Sequence, residues 1–403
     1  MKVLIFNVKY SENLGDGLLA QCLETALSNQ CAMQVETVDL AGRTAFGTTH
    51  PRRQFAIRAL RRLPAFARRL AVKAMLGSKL DDLAKDWSIK IENADAIVVG
   101  GGNLFQDDDL NFPLKIGKLF DCVRKSGKPL AIYSVGVSNN WSPEARELFG
   151  KICHIQLLHV SVRDNLALKN WRRHFPSGPS PLVLVDPGLL AYNSADSSSA
   201  VLKKIPRSLV GICVTDPVIL QRHAGGSSTD IALKSAREYS AVIKHLIEEG
   251  YRIRLFCNGA REDQAFAKRL LSEKLLQNYK AENWITLAVR PQRPEDLVDI
   301  IQSVSVVLAH RLHACIAAYA LAIPHVGLGW DPKVESFFQI VGRDSFFAGG
   351  LEATPVRLAC LVKKAEDDGI GHASRLAMVA AAAAGIQTLY EHLYHLPPRH
   401  DGT

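Results

Sequence analysis

At 403 residues the chain is too long for one ordinary hydrophobic core and predicts two domains, or three. Its 47% apolar and 22% charged residues match a soluble globular protein and exclude a disordered or fibrous chain, apart from an expected loose tail at His400–Thr403. Net charge is +9, yet Ala41–Leu80 holds ten Lys or Arg and no Asp or Glu, so the protein reads as a near-neutral globule with one basic segment.

Met1-Lys2 runs straight into Val3-Leu4-Ile5-Phe6, which is too short for a signal-peptide core and is followed by polar residues. The longest apolar run, Leu376 to Ile386, falls far below the roughly 20 residues that span a bilayer, so a cytoplasmic chain is expected. Eight scattered cysteines never form C-x-x-C and predict reduced core thiols.

Short β-branched or apolar runs that end in polar or glycine turns predict strands at Lys2–Asn7, Ala94–Val99, Leu130–Val135, His159–Val162, Leu182–Val185, Leu209–Val214, Arg252–Cys257, Trp284–Leu287 and Ser303–Ala309. Helical patterns lie between many of them, as at Gly17–Ser28, Arg237–Glu249, Glu262–Leu276 and Pro294–Ser303. This alternation predicts an α/β protein with parallel sheets covered on both faces. The serine-rich stretch from Tyr192 marks a linker, giving halves at 1–193 and 207–350, a connection at 194–206, and C-terminal helices and tail at 351–403.

Within the first half, 52–76 reads as a basic helical insertion. Ala56, Leu60, Leu63, Ala67, Leu70 and Ala74 share one face, Arg58, Arg61, Arg62, Arg69 and Lys73 gather opposite, and Pro64 is expected to divide the helix in two. Either the apolar stripe packs on the core, or the segment meets an anionic membrane or polyanionic substrate, where clustered Lys and Arg contribute about 1 kcal/mol each. No recognition module or interleaved aromatics point to nucleic acid.

Polar residues just beyond strand ends carry the functional signal, because open parallel sheets bind ligands there. The first strand leads into Asn13-Leu14-Gly15-Asp16, which lacks G-x-G-x-x-G and so does not indicate a dinucleotide. Gly100-Gly101-Gly102-Asn103, running on to Asp107, lets backbone amides approach a ligand, or is simply a tight strand exit. Arg163 stands at another strand end with Asp164 as helix cap behind it, and Asp186 follows Val185. Arg311 and His313 open an Ala-rich helix over Leu312–Ala322, whose free amides and dipole favour an anion. A bound phosphate or carboxylate favours a protonated imidazole, which suits a general acid. Asp331 and Lys333 follow in the next loop, and Arg163, Arg311, His313 and Lys333 together would make a strongly cationic pocket. No metal is implied, since His310 and His313 lack a carboxylate or cysteine at ligand spacing.

Taken in order, Asn13-Leu14-Gly15-Asp16, Gly100-Gly101-Gly102 to Asp107, Ser161-Val162-Arg163-Asp164, Asp186-Pro187, Arg311-Leu312-His313 and Trp330-Asp331-Pro332-Lys333-Val334 resemble the polysaccharide pyruvyl transferases over about residues 1–340. The resemblance implies two Rossmann-like domains with parallel sheets in a GT-B-like arrangement, no cofactor, phosphoenolpyruvate as donor and a sugar or lipid-linked oligosaccharide as acceptor. Arg311 and Arg163 would hold the donor's phosphate and carboxylate, and His313 would be the general acid. The loops around Asn13, Asp16 and Gly101 would face the acceptor, with Gly102, Asn103, Asp107, Asp186, Asp331 and Lys333 also counted as substrate-binding. His310 and Trp330 stand where serine and tyrosine are commoner in the family, a departure that touches pocket shape. The competing readings are a GT-B glycosyltransferase using a nucleotide sugar and a non-catalytic sugar- or anion-binding protein.

Overall fold

Val3, Leu4, Ile5 and Phe6 are all fully buried, as a strand covered on both faces requires. The structure is a computed structural model that describes residues 1–47, 64–191, 208–223 and 231–395. The expected linker 194–206, the arginine-rich residues 52–63 and the tail from 396 lie outside the described residues. The chain divides into two compact units, one of Met1–Tyr10, Ala20–Pro187 and Ala381–Thr403, the other of Ser11–Leu19 and Gly188–Ala380.

In the first unit, β1 (Lys2–Asn7), β2 (Gln34–Asp39), β3 (Ala96–Phe105), β4 (Leu130–Val137), β5 (Leu157–Val162) and β6 (Leu182–Val183) form one parallel sheet in the order β2-β1-β3-β4-β5-β6. In the second, β7 (Leu209–Cys213), β8 (Arg252–Phe256), β9 (Ile285–Leu287), β10 (Val306–Ala309), β11 (His325–Leu328) and β12 (Phe347–Ala348) form another in the order β12-β11-β10-β7-β8-β9. Strand order reverses between β1 and β3 and between β7 and β10, the switch points beyond which sheets of this class bind ligands.

Four strands and the cysteines differ from the sequence reading. β3 does not end at Val99: it continues through Gly100, Gly101 and Gly102 to Phe105, because Gly101 and Gly102 take positive φ (79° and 86°) and shift the register instead of breaking the strand. β2, β11 and β12 were not expected; the first is an edge strand with polar alternation, and the others are four and two residues long. Finally, only five cysteines are buried; Cys31, Cys153 and Cys360 are exposed free thiols.

Pro64 caps a single 28-residue helix, Ala65–Glu92, that runs well past the basic segment. Its C-terminal half packs Leu80, Trp87 and Ile91 into the core, with Trp87 edge-on to Phe6. In its first half the expected faces are inverted. Leu70 is 67% and Phe66 75% exposed, while Arg68 turns inward as a fork onto Asp109 at 2.9 and 3.2 Å. A carboxylate buried in a loop competes for arginine more strongly than solvent does.

No single helix among the described residues is long and apolar enough to cross a membrane; the pair Pro355–Asp368 and His372–Tyr394, bent by 89°, passes only when taken together.

Candidate functional site

Three loops leave the carboxyl edge of the second sheet, and each carries a largely buried polar side chain two residues past its strand: Thr215 after β7, Asn258 after β8 and Arg311 after β10. Arg311 caps the helix Leu312–Ala320, all nine of whose residues are buried, so its N-terminus is held firmly by packing. One arm of the guanidinium is spoken for: Nη2 donates to Asp263 Oδ2 at 2.5 Å, and Asp263, with no exposed surface, also accepts from the Asp216 amide at 2.9 Å. Burial pushes the Asp263 carboxyl up while Arg311 pulls it back; Arg311 stays charged, Asp263 outweighing the cost of its own burial. Among the described residues, three buried atoms at this edge, Arg311 Nε, Thr215 Oγ1 and Asn258 Oδ1, have no hydrogen-bond partner. Buried polar atoms are rarely left unmatched, so this cluster is suited to a polar ligand.

His313 is the second residue of this helix, with its side chain 10% exposed and Nδ1 3.6 Å from Asp16 Oδ1. Asp16 belongs to Ser11–Leu19, the short piece of the N-terminal sequence that clusters with this unit. Asn13 Nδ2 donates to Asp16 Oδ2 at 3.2 Å, and Asn258 Nδ2 donates to Asn13 Oδ1 at 2.5 Å. Gly15 makes the approach possible, since a Cβ there would sit 2.4 Å from the Cβ of His313.

Lys333, the other basic group expected at this edge, has a local acid. Lys333 Nζ pairs with Asp331 at 2.9 Å and lies 4.7 Å over the Trp330 ring, while Asp331 also caps its helix through the Lys333 amide at 3.0 Å. His310 is structural. Fully buried, it bonds Tyr239 Oη at 3.1 Å and the Ala232 carbonyl at 2.7 Å, and burial pushes it down to about 3, so it is neutral. Trp330 donates to the His310 carbonyl at 2.6 Å, which ties both departures from the family pattern into one brace. Burial also pushes the nearby Cys257 thiol up to about 12, which removes it as a nucleophile at neutral pH.

In the first unit, Arg163 follows β5 and is 5% exposed, with Asp164 at 3.3 Å and Asp186 at 3.6 Å. Asn103 and Arg163 converge on Gly136 of β4, where a Cβ would meet Asn103 Oδ1 at 2.7 Å and Arg163 Nη2 at 3.0 Å. Asp107 is a staple, contrary to its expected role with substrate: its two oxygens accept from the Leu110 and Ser142 amides, both at 2.8 Å. They hold Asp108, Asp109 and Leu110 at φ of 41°, 54° and 71°, three consecutive left-handed residues that cost about 1–2 kcal/mol each. Gly101 and Gly102 lie inside β3, just before Asn103, as turning points of the strand and not as an open loop.

Sequence reasoning missed Asp263, Asn258, Thr215 and Gly136. Asn258-Gly259 and Thr215-Asp216 are polar pairs directly after predicted strands, the same signal that singled out Arg311, whereas Asp263 sits inside a charged helix start and carries no such mark. Among the described residues no group of three or more His, Cys, Asp or Glu could hold a metal ion.

A family profile described as polysaccharide pyruvyl transferase matches residues 13–332. The curated proteins gave no match. Solved structures with a similar fold include MnaA of S. aureus with UDP (11% identity, 98% of this chain and 96% of that chain, TM-score 0.57). The UDP-N-acetylglucosamine 2-epimerase of Rickettsia bellii is similar at 11% identity (98% and 96%, TM-score 0.56), and UDP-GlcNAc 2-epimerase of Methanocaldococcus jannaschii at 10% (91% and 92%, TM-score 0.52). At such identities the likeness concerns the fold alone, two Rossmann-like domains of the GT-B-like class, as the sequence led one to expect.

Proposed function

The chain belongs to the polysaccharide pyruvyl transferase family, and from that premise we propose that it transfers the pyruvyl group of phosphoenolpyruvate to two hydroxyls of one sugar, forming a ketal in exopolysaccharide or cell-surface glycan synthesis. The observation that carries this reading is the cluster of unmatched buried atoms on Arg311, Thr215 and Asn258 at the switch point of the second sheet, next to the imidazole of His313. Arg311 Nε and the first amides of the helix Leu312–Ala320 receive an anionic group of the donor, and Asp263 keeps the guanidinium oriented while they do so. His313 protonates C3 of the enol, which leaves an oxocarbenium-like centre at C2. One sugar hydroxyl adds there and loses its proton; phosphate then departs, and the second hydroxyl closes the ring with loss of its own proton. Arg163, braced by Asp164 and Asp186 in the first unit, is the second arginine that the family resemblance assigns to the donor. No step calls for a metal or a cofactor.

The acceptor is a sugar or a lipid-linked oligosaccharide, and the basic segment docks the protein on an anionic membrane from the cytoplasmic side. Phe66, Leu70 and Met75, all exposed beside Arg69, Lys73 and Lys79, support that part of the reading. Incubation with phosphoenolpyruvate and a panel of galactosides, glucosides and mannosides should release inorganic phosphate. UDP release from UDP-sugars, with phosphoenolpyruvate untouched, would instead establish a glycosyltransferase, and binding without turnover of either a sugar-binding protein.

A further inference from the structure

We infer that Asp16 is a positioning residue for His313, holding the imidazole by its Nδ1 edge so that Nε2 delivers the proton, and that Asn13 and Asn258 form the relay that fixes Asp16. This inference rests on the pyruvyl-transfer reading and deepens it, because it takes Asp16 and Asn13 from the acceptor, where the family resemblance put them, and gives them to the acid.

The contacts argue for that reassignment. Asp16 Oδ1 lies 3.6 Å from His313 Nδ1, and its other oxygen accepts from Asn13 Nδ2 at 3.2 Å. Asn13 has its amide oxygen on Asn258 Nδ2 at 2.5 Å, so both ends of that side chain are engaged within the protein. The backbone repeats the attachment: the Leu14 amide donates to the Asn258 carbonyl at 2.8 Å, and the Asp16 amide to the Asn13 carbonyl at 3.0 Å.

Two glycines seat this loop. Gly15 has no room for a Cβ against His313, and Gly259, at φ +100°, would place one 2.4 Å from the Glu12 carbonyl oxygen. Glycine is the residue that tolerates both the close approach and the left-handed backbone. Of this loop's two carboxylates, Glu12 faces Arg261 at 3.8 Å and Asp16 faces His313. An imidazole with one nitrogen held by an anion keeps a defined ring orientation and presents the other nitrogen to the reactant, the arrangement seen wherever a histidine serves as acid or base. Asn258 starts the relay in the loop after β8, at the same carboxyl edge of the sheet that carries Arg311 after β10.

The test is a double-mutant cycle read as phosphate release from phosphoenolpyruvate with the most reactive glycoside of the panel. Asp16→Asn should lower kcat about tenfold or more while KM for phosphoenolpyruvate and for the glycoside changes less than about twofold. In a His313→Gln background the same change should cost nothing further, because a residue acting through the imidazole has nothing left to act on. Asn258→Ala, which loosens Asn13 and leaves the carboxylate in place, should reproduce the kcat loss in weaker form. Equal losses from Asp16→Asn in both backgrounds would mark a structural role and overturn the inference, and a raised glycoside KM at unchanged kcat would return Asp16 to the acceptor. If His313→Gln alone keeps full turnover, the acid assignment itself falls and the positioning role with it.

Discussion

Arg163 in the first unit and Arg311 in the second hold matching posts, each just beyond a parallel strand, each buried and each beside a carboxylate, but their surroundings differ in kind. Arg163 lies between two acids and against the backbone of Gly136, and the loop leaving the next strand but one is locked in three left-handed residues by Asp107 and Arg68. Among the described residues, Arg311 has one acid, one unmatched nitrogen, two unmatched oxygens on neighbouring loops and an imidazole two residues on. The first edge is a braced wall whose strain is already compensated; the second has polar capacity left over. On the proposed reading, the donor's anion goes with the surplus.

The sharpest way to break this contrast is to remove the charges. Arg311→Met strands a fully buried Asp263 and should cost about 3–5 kcal/mol in urea unfolding, since an unpaired buried carboxylate is the expensive state. Arg311→Met with Asp263→Leu should recover most of that stability, because an apolar pair of similar volume replaces a buried ion pair at little cost. The double variant should nevertheless fail to bind phosphoenolpyruvate in calorimetry. Binding that survives in it would move the donor away from the second edge.

Acid sharpens the comparison next. Burial pushes His310 and His325 down to about 3 in the second unit, and His159 in the first to about 4, with the nearby His392 adding to the effect. Unfolded histidine titrates near 6.5, so between that value and the folded one the unfolded chain binds more protons. Stability contributed by these neutral rings is therefore whole above about pH 6.5 and is lost as pH falls toward 4 and below. Hydrogen exchange at pH 7 and pH 5 should show protection falling more in β7–β12 than in β1–β6; equal losses would contradict the account of two differently buried edges.

The smallest effect concerns the exposed helix face. Phe66→Ser with Leu70→Ser should leave thermal stability within about 0.5 kcal/mol, as for other solvent-facing positions. The same pair should weaken sedimentation with anionic liposomes several-fold, and unchanged partition would end the membrane reading.

Much of the fold was legible because buried parallel strands write themselves as apolar runs: β1, β7, β8 and β10 were found within a residue or two of their carboxyl ends. β2 escaped because an edge strand can alternate, and β3 was cut short because glycine at positive φ looks like a break when it is a bulge. Arg311 and His313 could be found because strand-to-helix junctions rarely carry charge without use. Asp263 and Asn258 could not be joined to them, since pairing across loops far apart in sequence leaves no local pattern. For the same reason the acids near Arg311 and His313 were not foreseen: they come from a helix start and a loop some 50 and 300 residues away by the numbering. The faces at Arg68 and Leu70 show that periodicity reports which residues share a face, and that a partly buried acid such as Asp109 decides which face turns in.

Central to the whole account is the proposal that His313 gives a proton to the enol carbon. Single-turnover phosphate release from phosphoenolpyruvate by the His313→Gln chain, measured alongside phosphoenolpyruvate affinity by calorimetry, addresses it directly. The rate should drop by about 10² or more with affinity changed less than about threefold. A rate like that of the native chain, or a loss wholly explained by weaker binding, would contradict it.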